Sequence, residues 1–455
     1  MRVQLDIPNP HHDLLKSTAQ QLVRVKQEPH LTQAKAQDAH IGRTLQLNRN
    51  RRAVETSVTL ERALALANTL TIPRHTETTP LSLLSGRILA SPLSSKVDDP
   101  AFDNSAMDGW AVRAQDCTSD GTTLEIVGTS RAGGEQLPQI STGQASRIMT
   151  GAPIPPGADA IVMVEDSTED GKHVKILGPA RPGYIRKQGE NLQKGQEILR
   201  AGTLIGPAEI SLVATMGHHE AETLRKPTVA VISTGDELVQ PGTKLSPGQI
   251  YESNSYGLTS LIEKMGATAK RYEVVHDNIE GLRTTLNDAA ESCDAILTSG
   301  GVSMGEWDLV RRLMEDEGQP LFWKVRIRPG GPPLCGSWKN TPLFGLPGNP
   351  VSSHVVFISI VAPWLAECMG ADHELGPRLA DRITVKLSED IKGAPKKLCM
   401  RRIRIEIAED GLVATTHTHQ GSGNIHSMVA HNGLTLLPPG IDAKSGEIID
   451  ALWLR

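Results

Sequence analysis

The sequence contains few aromatic residues and few cysteines, and each shortage argues against a class of function. Aromatic residues make up 3% of the 455 residues, too few for a surface that stacks on nucleic-acid bases. The five cysteines are far apart and form no C-x-x-C pair, so they support neither a zinc ribbon nor a thioredoxin-type site. They are Cys117, Cys293, Cys335, Cys368 and Cys399. This spacing favours free thiols in a reducing compartment.

The chain also lacks long apolar runs and a large excess of charge. No apolar run reaches the roughly 18 residues that a membrane span needs, and the N-terminal region has no apolar signal-peptide core. We therefore expect a cytoplasmic protein without a membrane partner. The net charge of −5 gives no general attraction to nucleic acid. No Walker A motif and no G-x-G-x-x-G motif occurs, so ATPase-type phosphate binding and dinucleotide binding are both unsupported.

The pattern along the chain predicts five segments. Residues 1–52 carry 9 Lys and Arg against 4 Asp and Glu, and their composition predicts a polar, disordered extension. Residues 53–85 and 185–225 predict a discontinuous helical domain, interrupted by a small β domain at 86–184. Residues 226–375 alternate strands with helices, which predicts a mostly parallel sheet covered by helices. Residues 376–455 contain strands and turns that predict a small barrel or sandwich.

Three glycine-containing turns follow strand-like runs in the predicted α/β domain. They are Ser233–Leu238, Thr298–Ser303 and Gly345–Pro350. In an open α/β sheet, loops at the carboxyl ends of the strands converge on the ligand. Glycine allows the backbone to approach that ligand closely, and backbone N–H groups there favour anions. The sequence therefore predicts a site for an anionic, phosphorylated small molecule.

Acidic residues accompany these turns. Asp236 directly follows the first strand, and Asp277 follows the next one. Such carboxylates beside phosphate loops suit Mg²⁺, which takes one or two carboxylates together with phosphate oxygens. As a ligand-binding residue Asp277 can contact either Mg²⁺ or a ribose, and its alternative role is the N-cap of a helix that starts near Ile279. Glu190 lies outside this domain and can join the site only if the domains pack together.

Basic residues predict a second anion site. Lys324, Arg326 and Arg328 alternate along a predicted strand, so period-two spacing places them on one face. Three like charges on one face favour a bound anion, although a charged edge strand is the alternative. A second basic cluster, Arg401, Arg402 and Arg404, falls on a strand of the predicted barrel, and Ser422 lies in a polar turn of the same unit.

Taken in order, seven segments resemble the molybdopterin molybdenumtransferases, the family of MoeA and the gephyrin E domain. They are Asp103–Ala111, Met149–Pro153, Gly189–Asn191, Ser233–Leu238, Gly248–Asn254, Ser299–Gly305 and Gly345–Ser352. Singly, the first two are ordinary turn sequences. The resemblance covers the chain from about residue 53 to its end. It implies an elongated homodimer with a helical domain, an inserted β domain, a pterin-binding α/β domain and a C-terminal barrel.

The resemblance also implies a reaction and roles for residues. The family inserts molybdenum from molybdate into adenylylated molybdopterin and releases AMP with the help of Mg²⁺. It implies that Asp236, Asp277 and Glu190 are acidic, metal-linked residues, and that Asp103 and Thr150 are contributed by the partner subunit. The implied pterin-nucleotide and oxyanion residues are Ser299, Gly300, Gly301, Ser303, Asp308, Lys324, Arg328, Pro332, Gly348, Asn349, Arg402 and Ser422.

One segment departs from the family pattern. Where the family reads K-P-G-K-P, this chain has Arg328-Pro329-Gly330-Gly331-Pro332. Gly331 removes a positive charge where the family binds its oxyanion, and Arg326, Arg401 or Arg402 are the candidates to compensate. The departure leaves open a catalytically weakened homologue that binds the pterin nucleotide as a carrier or scaffold. A related pterin or nucleotide hydrolase without metal insertion is the third hypothesis.

Overall fold

The computed structural model describes residues 53–117, 121–134, 136–302, 308–409, 411–416 and 419–455. The predicted extension at 1–52 and the candidate Ser303 lie outside these residues.

A seven-stranded mixed sheet forms the centre of the described chain. Its strands lie in the order Glu55–Val58, Gln319–Val325, Leu334–Trp338, Thr341–Leu346, Ala295–Ser299, Thr228–Ser233 and Thr268–Arg271. The strand Thr228–Ser233 is buried from Val229 onward, as expected for a β-branched run covered on both faces. Helices cover the sheet, and two apolar cores lie on its two sides. The helices are Leu60–Ala67, Asn254–Lys264, Ile279–Ser292, Leu309–Asp316, Pro350–Val356 and Ala362–Cys368.

Two strands of this sheet were not predicted from the sequence. Glu55–Val58 pairs in parallel with Gln319–Val325 at one edge, although it lies far away along the chain. Leu334–Trp338 pairs antiparallel with both of its neighbours, which makes the sheet mixed. The helix Leu60–Ala67 follows the edge strand and packs into the core of the α/β domain, with Thr59 capping it as predicted.

The segments around the inserted domain contain more strand than the prediction of a helical domain implies. One helix, Pro207–Thr215, packs with short two-stranded sheets around its own apolar core. Those strands are Thr76–Pro80, Leu93–Ser94, Glu197–Leu199 and Glu220–Leu224. The inserted domain itself is a six-stranded sheet. Its strands lie in the order Ala160–Met163, Gly109–Val112, Gln144–Ile148, Thr123–Ser130, His173–Ile176 and Ser167–Asp170.

The C-terminal segment forms a closed five-stranded barrel. Its strands are Ala380–Leu387, Gly411–Thr416, Arg402–Ala408, Gly433–Thr435 and Ile448–Leu454, in spatial order. A short parallel ladder joins this domain to the α/β domain, because Ile327–Arg328 pairs with Leu398–Cys399. The predicted fold class, an α/β domain with an inserted β domain and a C-terminal barrel, is confirmed.

One helical segment among the described residues is long and apolar enough to cross a bilayer. It is Pro350–Cys368, in which a single π-helical turn at Phe357–Val361 separates two α-helical stretches. Its most apolar window is 78% buried inside the protein. The segment is therefore a central core helix, packed against the sheet and the helix Leu60–Ala67.

Candidate functional site

The three glycine-containing turns meet at one edge of the central sheet. The strands that precede them are adjacent and parallel, with Ser233 opposite Ser299 and Ser299 opposite Leu346. Their carboxyl ends therefore stand side by side, as predicted for a ligand-binding edge. A cavity of about 620 Å³ opens there, lined by Gly235, Gly300, Gly301, Gly348, Asn349 and Asp308, among others. We call this cavity the glycine pocket.

The loop Ser299–Gly301 requires glycine at its centre. Gly300 has a φ of 98°, and a Cβ there would lie 2.9 Å from the carbonyl oxygen of Thr234. The Gly300 N–H already donates to the carbonyl of Leu346, so the loop offers a phosphate fewer backbone donors than its sequence suggests. Ser299 is 3% exposed, and its hydroxyl accepts a hydrogen bond from Asn254.

Asn254 connects two of the three turns. Its Nδ2 donates to Ser299 Oγ at 2.8 Å and to the carbonyl of Gly348 at 2.7 Å. The residue starts the helix Asn254–Lys264, so the first residue of that helix clamps the two turns together. Sequence reasoning assigned Asn254 no role, although the segment Gly248–Asn254 was one of the matching motifs.

A buried carboxylate, Glu252, supports this helix start. It is 2% exposed and accepts hydrogen bonds from Ser233 Oγ, Ser255 N and Ser255 Oγ at 2.9, 2.7 and 2.6 Å. A buried carboxylate needs such donors to offset its lost hydration. Glu252 therefore fixes the first strand to the helix that carries Asn254, and it is a second functional residue that sequence reasoning missed.

The two aspartates predicted at this edge are neighbours. Asp236 Oδ1 accepts hydrogen bonds from the backbone N–H of Asp277 and from His276 Nδ1, both at 3.1 Å. Asn278, not Asp277, caps the helix Ile279–Ser292, so the alternative role for Asp277 is wrong. Burial, followed by the negative charges of Asp236 and Glu237, raises the pKa of Asp277. Such crowding favours a bound cation.

Glu190 does not lie with these aspartates in the subunit. Its carboxylate accepts the N–H of Lys187 at 2.7 Å, within the turn 187–190, and it does not line the glycine pocket. No group of three or more His, Cys, Asp or Glu able to hold a metal occurs among the described residues. The neighbouring pair Asp236 and Asp277 still fits Mg²⁺, which needs only one or two carboxylates when substrate phosphates supply further ligands.

Glu190 instead belongs to a cluster with Asp103 and Thr150. Asp103 accepts hydrogen bonds from Lys187 Nζ and the Gln188 N–H, both at 2.8 Å. These two contacts hold the pKa of Asp103 below its usual range. The Thr150 N–H donates to Asp108 Oδ1 at 2.7 Å, which joins the two turns of the inserted domain. We call this group the Asp103 cluster.

A second pocket, of about 820 Å³, lies beside the glycine pocket and shares Pro332 and Asn349 with it. Five cationic side chains line it: Arg328, Lys396, Lys397, Arg401 and Arg402. No carboxylate among the described residues lines it, and none of the five cations forms an ion pair with a described residue. We call it the basic pocket, because its charges are left for an anion to neutralise.

Arg402 is the most deeply held of these cations. The residue is 1% exposed, and its Nε and Nη2 donate to Ser427 Oγ and the Gly421 carbonyl at 3.0 and 3.1 Å. Burial, followed by the charge of Arg401, lowers the pKa of Arg402. Its partners are neutral oxygens, so an anion is the missing counter-charge.

The predicted basic face of the strand Gln319–Val325 is only partly correct. The strand ends at Val325, and Lys324 has a φ of 67° that breaks the regular alternation. The Lys324 ammonium lies 4.0 Å from the centre of the Trp323 ring, and neither Lys324 nor Arg326 lines either pocket. Arg328 alone of the three reaches the basic pocket.

Ser422 links the barrel to the third turn. Its Oγ accepts a hydrogen bond from Asn349 Nδ2 at 3.0 Å, and its carbonyl accepts the Val351 N–H at 3.0 Å. Asn349 is the N-cap of the helix Pro350–Val356. The wall between the two pockets is thus built by residues from both domains.

Comparison with known families agrees with this architecture. The model of the MoeA N-terminal region, domains I and II, matches residues 58–217. The model of a probable molybdopterin binding domain matches residues 230–367, and that of the MoeA C-terminal region, domain IV, matches residues 384–454. The three matches follow one another over most of the described chain.

Individual relatives and solved structures agree as well. A molybdopterin molybdenumtransferase of Haemophilus influenzae is 36% identical over 84% of this chain and 94% of its own length. One from a Nostoc species is 34% identical over 81% and 86%. The crystal structure of a molybdopterin biosynthesis MoeA protein from Pyrococcus horikoshii superposes with a TM-score of 0.73 at 29% identity, covering 87% of this chain and 100% of that one. The chain belongs to the molybdopterin molybdenumtransferase family.

Proposed function

We propose that this protein inserts molybdenum from molybdate into adenylylated molybdopterin and releases AMP in a Mg²⁺-dependent step. The observation that carries the proposal is the contact between two pockets of opposite character. The glycine pocket has acidic residues at a sheet edge, and the basic pocket beside it holds five cations without a carboxylate among the described residues. A phosphorylated substrate and an oxyanion would thereby be held next to each other.

Different residues would hold the metal ion and the molybdate. Asp277 and Asp236 would hold Mg²⁺ against the substrate phosphates, where the ion would neutralise charge as AMP leaves. Arg402 and Arg328 would hold molybdate, a dianion, beside the pterin end. A side chain that is already fixed needs little reorganisation when its ligand binds. The buried hydrogen bonds of Arg402 fix this side chain before the anion arrives.

The Asp103 cluster supports a site that two subunits share. No residue of the inserted domain lines either pocket among the described residues. Phe102 and Met149 are nevertheless exposed, by 46% and 42%, next to Asp103 and Thr150. We propose that the protein is a homodimer in which the Asp103 cluster, with Glu190, completes the glycine pocket of the partner.

The test is AMP release from adenylylated molybdopterin with Mg²⁺, at increasing molybdate and, separately, tungstate. Molybdate-dependent AMP release together with formation of the molybdenum cofactor is the expected result. Omitting Mg²⁺, or adding a chelator, should stop the release. Glu273→Gln, an exposed carboxylate change near the same edge that lines neither pocket, is the matched control.

Two other outcomes separate the alternatives. Tight binding of the pterin nucleotide without AMP release, at any oxyanion concentration, would indicate the carrier or scaffold that the Gly331 departure leaves open. AMP release that does not depend on molybdate would indicate a hydrolase. Either result would overturn the proposal.

A further inference from the structure

Gly331 leaves an opening in the wall of the basic pocket. Its φ is not in the left-handed region, so no conformational demand explains the glycine. A Cβ built on Gly331 would lie 3.1 Å from Lys397 Nζ, its nearest neighbour, and 3.5 Å from the carbonyl oxygen of Ile327. The ammonium of Lys397 therefore lies closer than an ordinary van der Waals contact to the place where a side chain at position 331 would begin.

Backbone hydrogen bonds hold both Lys397 and Gly331 in place. The next residue, Leu398, donates its N–H to the Arg326 carbonyl at 2.8 Å and starts the ladder between the two domains. On the other side, the Gly331 carbonyl accepts the Val325 N–H at 2.9 Å. Lys397 and Gly331 are 66 residues apart in sequence, so only the domain packing brings them together.

The charge of Lys397 is directed into the pocket. Lys397 lines the pocket together with Arg328 and Arg402, and it forms no ion pair with a described residue. A lysine ammonium is a compact charge with three donors, well suited to a small tetrahedral oxyanion. Its neighbour Lys396 also lines the pocket, but its ammonium is not among the atoms nearest to Gly331.

We propose that Lys397 supplies, from the C-terminal domain, the oxyanion-binding cation that the glycine at position 331 cannot supply. This inference rests on the proposed function, because it takes the basic pocket as the molybdate site. Lys397, rather than Arg326 or Arg401, is then the residue that compensates for Gly331. A side chain at position 331 would crowd the ammonium of Lys397, so Gly331 leaves this ammonium its place in the pocket wall.

The primary experiment measures molybdate binding to the full-length protein by equilibrium dialysis with metal analysis. Lys397→Met should weaken binding by about tenfold or more, as expected for loss of one charge-assisted contact to the anion. Lys392→Met removes an exposed lysine side chain that does not line the pocket, and it keeps the Lys392 carbonyl that accepts from Arg401 Nε, so this variant should bind as wild type does. Thermal unfolding of each variant checks that the fold is retained.

A charge transfer between the two positions gives the second test. The double variant Lys397→Ala/Gly331→Lys should recover most of the affinity lost in Lys397→Ala, because alanine vacates the space that the new lysine needs. Gly331→Lys alone should bind molybdate no more tightly than wild type, since its Cβ crowds the ammonium of Lys397. Lys396→Met should lose clearly less affinity than Lys397→Met.

Two results would overturn the inference while leaving the proposed function intact. The first is an unchanged molybdate affinity in Lys397→Met. The second is an equal loss of molybdate affinity in Lys396→Met and Lys397→Met. Both apply when the wild-type protein releases AMP in a molybdate-dependent manner. Wild-type protein that neither binds molybdate nor depends on it for AMP release would overturn both proposals.

Discussion

Asp277 acquires its properties from residues that fold around it. It lies half-buried next to Asp236 and Glu237. Asn278, rather than Asp277, caps the following helix. Burial first, and then the negative charges of Asp236 and Glu237, raise the pKa of Asp277. A cation bound there would relieve the repulsion between these carboxylates, and this relief would contribute to the affinity for the ion.

Replacing Asp236 by asparagine should separate function from folding. Asp236→Asn keeps the shape and an acceptor for the Asp277 N–H but removes one negative charge. We expect turnover to fall by at least about a hundredfold, as is common when a charge-stabilising group is lost. Because the side chain is 68% exposed, the unfolding temperature should change little. Unchanged AMP release in this variant would show that Asp236 is not part of the site.

Asp103 should make the stability of the inserted domain sensitive to acid. Its pKa is lowered in the folded protein by Lys187 and the Gln188 N–H. Its stabilising contribution is therefore complete above the ordinary aspartate pKa of about 4 and is lost as the pH falls through the lowered folded value. Asp103→Asn should unfold more easily than wild type at neutral pH, and the difference should shrink at an acid pH below the ordinary aspartate pKa of about 4. Unfolding curves that stay equally separated at both pH values would contradict this.

At the scale of secondary-structure elements, the site depends on the start of one helix. The helix Asn254–Lys264 follows the buried Glu252 and presents Asn254 to two glycine-containing turns. The turns themselves carry few side chains that could hold them in place. The two hydrogen bonds of Asn254 therefore reinforce the backbone hydrogen bond between Gly300 and Leu346 that also joins these turns.

Removing this amide should loosen the turns without unfolding the domain. We expect Asn254→Ala to raise the KM for adenylylated molybdopterin by about tenfold, since two hydrogen bonds are lost. Hydrogen exchange should become faster at Ser299–Gly301 and at residues 346–349. Ser260→Ala, on the exposed face of the same helix, is the control. Unaltered exchange at both turns in Asn254→Ala would contradict the bridging role.

At the scale of the whole molecule, the residues expected in one site fall into two groups. Asp236 and Asp277 lie at the edge of the central sheet, whereas Asp103, Thr150 and Glu190 lie around the inserted domain. A symmetric dimer would bring one group of each subunit to the other group of its partner. Such an arrangement makes two equivalent sites, each dependent on both chains.

Mixing two inactive variants tests this arrangement. We expect Asp236→Asn and Asp103→Asn to be inactive alone, and their re-associated mixture to recover about a quarter of wild-type activity. Half of the dimers would then contain both variants, and each such dimer would have one intact site. Recovery should require conditions under which subunits exchange, which size-exclusion chromatography with light scattering can follow. A mixture that exchanges subunits but stays inactive would contradict a shared site.

Much of the fold follows from local pattern. The apolar run Thr228–Ser233 forms the predicted strand, and the three turns converge as their positions after strands predicted. Regular alternation and turn chemistry act within a few residues, so they can be read without tertiary structure. The edge strand Glu55–Val58 was missed because its partner, Gln319–Val325, lies far along the chain.

The sequence by itself determined the order of domains, the position of the ligand-binding edge and the residues that carry the family resemblance. Tertiary structure decided which charges meet. It placed Lys324 on Trp323 instead of in the basic pocket, gave helix capping to Asn278 instead of Asp277, and set Lys397 against Gly331. Contacts of this kind join residues from separate domains or depend on one backbone angle, and neither leaves a periodic signal in the sequence.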